Sequence, residues 1–228
     1  MSFDNYYLEI KEKIAEIARQ NGREANEITL VAVSKGHSQE KITSVYQKGC
    51  HDFGENRVQE ALRKIPSVPS DIHWHFIGTL QRNKVNKIIG KFKLIHSIDS
   101  FELAQKISQS SLEKGLITPM LLQVNTSGET SKHGLRGDSW LHYFEELLKL
   151  PAISIEGLMT IAPYVENKKI IRSCFSDLRK WRDAFASIAG RRCSLHHLSM
   201  GMSYDYRIAI EEGATILRIG AAIFQGKR

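Results

Sequence analysis

The sequence predicts an α/β protein of the (β/α)₈ barrel class. Eight short apolar runs, rich in β-branched residues, alternate along the 228 residues with segments of helical spacing. Strands that alternate with helices form parallel sheets, and eight such units close naturally into a barrel. Periodicity alone also allows a doubly wound open sheet. The length is close to what one barrel uses, so residues 1–228 are expected to form a single domain.

An amphipathic segment precedes the first strand. Tyr7, Ile10, Ile14 and Ile17 recur at helical spacing, so an extra helix is expected beside or across one end of the barrel. The eight candidate strands follow it, at residues 28–33, 50–53, 73–77, 92–98, 119–124, 153–158, 195–198 and 215–219.

Each gap between these runs contains a segment that can be helical. The clearest helical spacings lie in residues 140–148 and 171–188. Ser38 and Ser100 each stand immediately before a helical pattern, where a side-chain oxygen can cap free N–H groups. Helices are expected to end at Gly49, Gly115 and Gly190.

The composition is that of an ordinary globular protein, with 42% hydrophobic and 25% charged residues. Residues 1–5 show no start of a secretory signal, and no apolar run reaches membrane-spanning length, so we expect a cytoplasmic protein. Three cysteines without a C-x-x-C pair indicate reduced thiols. The net charge of +7 comes from scattered basic residues without a nucleic-acid motif, so a nucleic-acid partner is not expected.

Polar residues that can do chemistry follow several predicted strands. Lys35 comes after the first run, Asn56 after the second, Ser199 after the seventh, and Arg218 lies in the eighth. In a barrel these strand ends share the face on which active sites are built. Lys35 is expected to emerge into a partly desolvated pocket, where its amine becomes nucleophilic and suited to imine formation.

Two turns in the last quarter of the chain suit a phosphate. Residues 198–203 lead from a strand into a helix and offer a hydroxyl, a glycine and helix N–H groups. Residues 217–221 repeat this arrangement one strand later. The loops after strands seven and eight are where barrels commonly bind phosphate.

Several segments are too specific for a generic barrel. They are Ala32-Val33-Ser34-Lys35, Phe53-Gly54-Glu55-Asn56, Trp74-His75-Phe76-Ile77-Gly78, residues 157–163, residues 198–203 and Arg218-Ile219-Gly220. In these segments, and across essentially its whole length, the chain resembles the pyridoxal 5′-phosphate (PLP) homeostasis protein family. That family is in turn similar to the N-terminal barrel domain of the alanine racemases.

The resemblance implies that PLP is held as an imine (Schiff base) on Lys35. It also implies that Arg218 points at the pyridine nitrogen, and that Asn56 and Met159 lie near the ring or its lysine. The residues that it places around the phosphate are Ser199, Met200, Gly220 and Ala221.

The sequence departs from the family pattern at residues 36–38, at Thr79 and Arg82, and at Ala221, where the family commonly has threonine. The missing hydroxyl removes one phosphate hydrogen bond, which is worth roughly 1.5 to 3 kcal/mol. We therefore expect a lower affinity for PLP than is typical of the family.

The resemblance implies a PLP reservoir or carrier that delivers the cofactor to apoenzymes and so affects amino-acid and keto-acid balance. Racemases and decarboxylases with this barrel need a second, β-rich domain, for which we expect no room after Gly220. We therefore expect a monomeric binding protein that transiently meets PLP-dependent apoenzymes. The alternative is a PLP-dependent amino-acid racemase or lyase of low activity.

Three other groups of charged residues have structural interpretations. His73 and His75 share one strand face, but no carboxylate is expected to complete a metal set. Glu55 is expected to have a structural role at the start of a helix. The basic residues Arg82, Lys84 and Lys87 are expected to form a solvated helix face, with a second, surface PLP site as the alternative.

Overall fold

The computed structural model describes residues 3–129 and 133–226. Eight parallel strands close into a barrel in sequence order, and the first strand pairs with both the second and the eighth. The open-sheet alternative is thereby excluded. The strands are β1 Thr29–Val33, β2 Asp52–Glu55, β3 His73–Phe76, β4 Leu94–Ile98, β5 Thr118–Gln123, β6 Ile153–Met159, β7 His197–Ser199 and β8 Ile216–Ile219.

Helices surround this barrel in the alternating order that the sequence predicts. Within the described residues they are α1 Phe3–Gln20, α2 Gln39–Gln47, α3 Val58–Lys64, α4 Val85–Ile88, α5 Phe101–Glu113, α6 Gly137–Leu147, α7 Lys168–Ala189, α8 Tyr206–Glu211 and α9 Ala221–Phe224. None of these helices is both long and apolar enough to cross a membrane.

The extra N-terminal helix is confirmed. All four apolar residues that predicted α1 are buried, and α1 packs against α2, α8 and α9. Tyr7 and Ile14 also line a cavity of about 480 Å³ together with Gly49 and Asp52, which flank the start of β2. The helix therefore lies against the end of the barrel at which the strands begin.

The helix termini follow the sequence expectations with one exception. The Ser100 hydroxyl accepts a hydrogen bond of 3.3 Å from the Leu103 amide, as a helix cap should. Ser38 also stands at an N-terminal cap, but its hydroxyl makes no capping bond to α2. Gly49, Gly115 and Gly190 follow helices with positive φ angles, as expected of glycines that end helices.

The second strand lies later in the chain than its apolar run indicated. The run at residues 50–53 predicted a strand ending at Phe53, but β2 continues through Gly54 to Glu55. The apolar pattern does not include Glu55, because this residue is charged. Glu55 is nevertheless fully buried and salt-bridged. A buried ion pair can hold a position in a strand that the hydrophobic pattern assigns to a loop.

The described residues form two buried apolar clusters. The larger one fills the space between the strands and the surrounding helices. The smaller one takes a single residue from each of five strands, which places it inside the barrel; it consists of Val31, Leu94, Leu121, Met159 and Ile216. The barrel interior is thus packed with side chains, as in other barrels of this class.

Candidate functional site

A cavity of about 740 Å³ opens at the end of the barrel at which the strands finish. Its lining includes five of the eight residues that the sequence singled out: Lys35, Asn56, Arg218, Gly220 and Ala221. The lysine follows β1, and Arg218 belongs to β8, which pairs with β1. Strand pairing therefore brings together residues that are far apart in the sequence.

Lys35 stands at the edge of this cavity with a free side chain. It is exposed, and no hydrogen bond or ion pair holds its ammonium within the described part of the chain. The expectation of a partly desolvated lysine is wrong, because the open cavity leaves the side chain in contact with solvent. The amine is accessible to a ligand that enters the cavity.

The backbone around Lys35 is held from below. The Ser34 carbonyl accepts a bond of 2.8 Å from the Lys64 ammonium, and the Gly36 amide donates one of 2.6 Å to the Glu60 carboxylate. Lys64 itself is buried and bonds to Glu60 at 2.6 Å. The position of Lys35 is thus fixed on both sides although its side chain is free.

Glu55 completes this buried cluster. It accepts bonds of 2.7 Å from the Lys64 ammonium and 2.6 Å from the Ser34 hydroxyl. Burial raises the pKa of Glu55, and the bonds from Lys64 and Ser34 oppose that shift. The expected structural role of Glu55 is confirmed, but its expected place at a helix start is wrong. It ends β2, three residues before α3 begins at Val58, and its partner is a lysine.

Arg218 is a buried cation in the cavity wall. It is only 4% exposed. Its Nη1 donates to Ser199 Oγ at 2.6 Å and its Nη2 to the Thr160 carbonyl at 2.9 Å. Burial lowers the pKa of Arg218 to about 10, and the charge of Asp205 opposes the shift. No salt bridge neutralises it among the described residues, so its charge is available to a ligand in the cavity.

The turns after β7 and β8 are tied to each other. The Arg218 amide donates to the Gly201 carbonyl at 2.9 Å, and the Ala222 amide donates to Ser203 Oγ at 3.1 Å. Gly201 has a φ of +94°, and a Cβ there would lie 2.5 Å from the Ala209 Cβ, so only glycine fits. Ser203 joins Gly220 and Ala221 in the cavity lining.

The other three predicted site residues lie behind the cavity. Ser199 is fully buried, and its hydroxyl is shared between Arg218 and His96, which is 2.8 Å away. Met159 belongs to the small cluster inside the barrel. Met200 is fully buried in the larger core. These side chains contribute to the walls rather than to the lining surface.

Sequence reasoning missed several lining residues. Ser203 belongs to the turn at residues 198–203, and its hydroxyl is the feature that could have identified it. Tyr164 and Tyr204 lie at the cavity with exposures of 86% and 51%, and their ring centroids are 5.1 Å apart. No local pattern marks them. Asn125 and His133, which lie between β5 and α6, also line the cavity, while residues 130–132 lie outside the described part.

The histidine pair on β3 has a carboxylate beside it after all. Asp52 Oδ1 lies 3.0 Å from His75 Nε2 and 3.4 Å from His73 Nδ1, so a carboxylate does stand beside the pair. The Lys93 ammonium occupies the remaining space, 3.2 Å from Asp52 and 3.3 Å from His73. The described residues contain no group of three or more ligands suited to a metal ion.

The protein is a (β/α)₈ barrel with a ligand cavity at its strand ends. The cavity has a lysine two residues after the first strand, a buried arginine in the last strand and two glycine-containing turns beside that arginine. The alanine racemase, N-terminal domain family matches residues 9–227 of this chain. A pyridoxal phosphate homeostasis protein of Aquifex aeolicus is 42% identical over 216 residues, which cover 94% of each chain. The protein therefore belongs to the pyridoxal phosphate homeostasis protein family.

Solved structures agree with this assignment. PipY of Synechococcus elongatus, whose structure was determined with PLP bound, is 35% identical and superimposes with a TM-score of 0.82 over 92% of this chain and 99% of its own. An alanine racemase of Clostridium difficile shares 16% identity with a TM-score of 0.77, over 96% of this chain and 55% of its own. The second likeness concerns the fold alone.

Proposed function

We propose that this protein binds PLP at the cavity, holds it as an imine on Lys35 and acts in PLP homeostasis. The observation that carries this proposal is the arrangement of the cavity. It combines an exposed lysine amine, a buried arginine that no described residue salt-bridges, and two hydrogen-bonded turns of small residues. The name of the Aquifex relative and the PLP in PipY support the same ligand.

The residues present fit this cofactor. A volume of about 740 Å³ is within the range of pockets that hold small cofactors. Bound PLP would supply an aldehyde and a phosphate. Lys35 would hold the aldehyde carbon through its Nζ, which replaces the aldehyde oxygen as one water molecule leaves. Gly220, Ala221 and the Ser203 hydroxyl would face the phosphate, with Met200 and Ser199 supporting these turns from behind.

Arg218 would meet the pyridine end of the ring, with Asn56 beside it and Met159 behind the cavity wall. A guanidinium donates hydrogen bonds and keeps its proton at neutral pH, even with its pKa lowered to about 10 by burial. It would therefore leave the ring nitrogen unprotonated. A ring in that state is a weaker electron sink, which favours storage of the cofactor over catalysis.

The exposed Lys35 and the open cavity suit a reservoir from which PLP passes to apoenzymes. The test is a transfer assay, in which the PLP-loaded protein is mixed with the apo form of a PLP-dependent enzyme and the recovered activity is followed. A phosphatase that destroys free PLP is present throughout. Recovery that exceeds the recovery from free PLP supports delivery; equal recovery contradicts it.

A racemase or lyase of low activity is the second candidate, and the tyrosines at the cavity favour it. Tyr164 and Tyr204 are hydroxyl donors that could move a proton at a bound amino acid. Incubation with L-alanine and PLP, followed by chiral analysis, decides between the candidates. D-alanine that appears with the natural chain and disappears with Tyr164→Phe and Tyr204→Phe would establish catalysis.

Other parts of the proposal concern the surroundings of the protein. We propose a cytoplasmic monomer of one domain, with PLP and PLP-dependent apoenzymes as its partners. A second, surface PLP site would involve Arg82, Lys84 and Lys87, of which Arg82 lines a shallow groove. Titration of PLP into Lys35→Ala, with and without Arg82→Ala, tests this site, because residual binding that depends on Arg82 cannot come from the cavity, which retains Arg218 and its phosphate turns.

A further inference from the structure

A line of polar side chains crosses the interior of the barrel. Arg218 Nη1 lies 2.6 Å from Ser199 Oγ, and Ser199 Oγ lies 2.8 Å from His96 Nδ1. His96 Nε2 lies 2.9 Å from His75 Nδ1, and His75 Nε2 lies 3.0 Å from Asp52 Oδ1. The line starts at the ligand cavity and ends at the side of Asp52, which lines the smaller cavity at the other end of the barrel.

With both rings neutral, the Asp52 carboxylate, which only accepts, fixes the direction of every hydrogen bond in this line. A guanidinium only donates, so Ser199 Oγ accepts from Arg218 and has its own proton left to give to His96 Nδ1. His96 must then carry its proton on Nε2 and donate it to His75 Nδ1. His75 in turn carries its proton on Nε2 and donates to the Asp52 carboxylate. A cation at one end and an anion at the other fix the same polarity.

Burial makes this arrangement stringent. Ser199 and His96 are fully buried and His75 is 2% exposed, so water does not offer these groups alternative partners. Burial lowers the pKa of His75 and holds the pKa of His96 well below its ordinary value, which keeps both rings neutral. A reversed tautomer in either ring would place two donors or two acceptors against each other in a site of low dielectric.

We propose that Ser199, His96, His75 and Asp52 are positioning residues that orient the Arg218 guanidinium toward the ligand cavity. This inference rests on the proposed function only in its consequence for PLP. With Nη1 held by Ser199 and Nη2 held by the Thr160 carbonyl, the remaining N–H groups of Arg218 are left for a ligand in the cavity. Asp52 sets the polarity of the chain although it touches neither the ligand nor the arginine.

The first test uses the protein without ligand. Long-range nitrogen–proton NMR correlation of the histidine rings reports which nitrogen carries the proton. His75 and His96 should both be neutral, with the proton on Nε2, and the side-chain resonances of Arg218 should show a rigid guanidinium. A proton on Nδ1 of either ring, or a cationic ring at neutral pH, would overturn the proposed direction.

The second test breaks this line of hydrogen bonds at a residue that does not line the cavity. His96→Leu removes both ring bonds, whereas His96→Asn keeps an acceptor near the Nδ1 position for Ser199. His96→Leu should mobilise the Arg218 guanidinium in the ligand-free spectra, shift the absorption maximum of bound PLP and weaken PLP affinity by about tenfold, the loss expected for one hydrogen bond to a charged group. His96→Asn should restore part of each effect.

Asp71→Leu is the matched control for Asp52→Leu. Both carboxylates accept hydrogen bonds near histidines, but Asp71 contacts Tyr46 and His51, which are not part of the line of hydrogen bonds from Arg218 to Asp52. Asp52→Leu should disturb Arg218 and the spectrum of bound PLP, and Asp71→Leu should disturb neither. Folded His96→Leu and Asp52→Leu variants with an unchanged Arg218 signal would refute the inference. Failure of the natural chain to bind PLP would refute only the proposed function, since the ligand-free spectra still decide the positioning role.

Discussion

Single residues at the cavity fall into two groups, those that line it and those that hold the lining residues in place. Lys35 and Arg218 could be predicted because each occupies a strand end or a late strand position where a charged side chain is unusual. The role of Ser199 could not be predicted. Its hydroxyl serves Arg218 and His96, and contacts across three strands leave no trace in local sequence.

Replacement of Ala221 tests the phosphate turn at the scale of one side chain. Ala221→Thr places a hydroxyl at a cavity position next to Gly220. Because a hydrogen bond to a charged group is worth roughly 1.5 to 3 kcal/mol, the dissociation constant for PLP should fall by about tenfold or more. Ala221→Val adds similar volume without a hydroxyl and should bring no gain, and equal affinities of the two variants would argue against a phosphate at this turn. Fluorescence or absorbance titration measures both.

Asp52, at the end of the line of hydrogen bonds through the barrel, should affect the stability of the protein in acid. Burial alone would raise the pKa of Asp52, but the bonds from His75 and Lys93 bring it down to about 2. A carboxyl whose folded pKa is below its unfolded value stabilises the protein above that unfolded value, near pH 4, and loses this contribution as the pH falls through 2. The contribution is worth roughly 2 kcal/mol.

Urea unfolding between pH 6 and pH 2 measures this effect. Asp52→Asn should be less stable than the natural chain by roughly that amount at pH 6, and the difference should shrink toward pH 2. A difference that stays constant over this range would mean that the folded pKa of Asp52 is not depressed.

The elements show where hydrophobic patterns suffice and where they fail. Helix α7 was predicted from seven apolar positions, and Ile171, Phe175 and Leu178 are among those buried. The apolar pattern predicts a strand that ends before β2 does, because Glu55 is charged, although its partner Lys64 on α3 makes it a core residue. A hydrophobic pattern cannot predict an ion pair that forms between two elements.

The junction of β2 and α3 gives a prediction at the element scale. Lys64→Met leaves the Glu55 carboxylate buried without its cation, and loss of one partner of a buried pair costs about 3 kcal/mol or more. Lys180→Met is the control, since the pair of Lys180 with Asp177 is exposed and should be worth less than about 1 kcal/mol. Chemical unfolding of both variants gives the comparison. Equal costs would show that the buried cluster under Lys35 contributes no more than a surface pair.

At the scale of the whole molecule, the alternation of strands and helices predicts the barrel, and the pairing of β1 with β8 confirms its closure. Closure also makes the line of hydrogen bonds through the barrel interior possible. His75 on β3, His96 on β4, Ser199 on β7 and Arg218 on β8 meet only because the sheet curves back on itself. Sequence could place each of these residues on a strand, but it could not show that they touch.

The same closure puts the free amine of Lys35 and the buried charge of Arg218 on one cavity, which is the basis of the proposed function. The most direct test is borohydride reduction of the PLP-loaded protein followed by peptide mass mapping. The natural chain should show a visible absorption band that is lost on reduction, with the pyridoxyl group on Lys35, and Lys35→Ala should lack both. A reduced label on another lysine, or a natural chain with no band at all, would contradict the account.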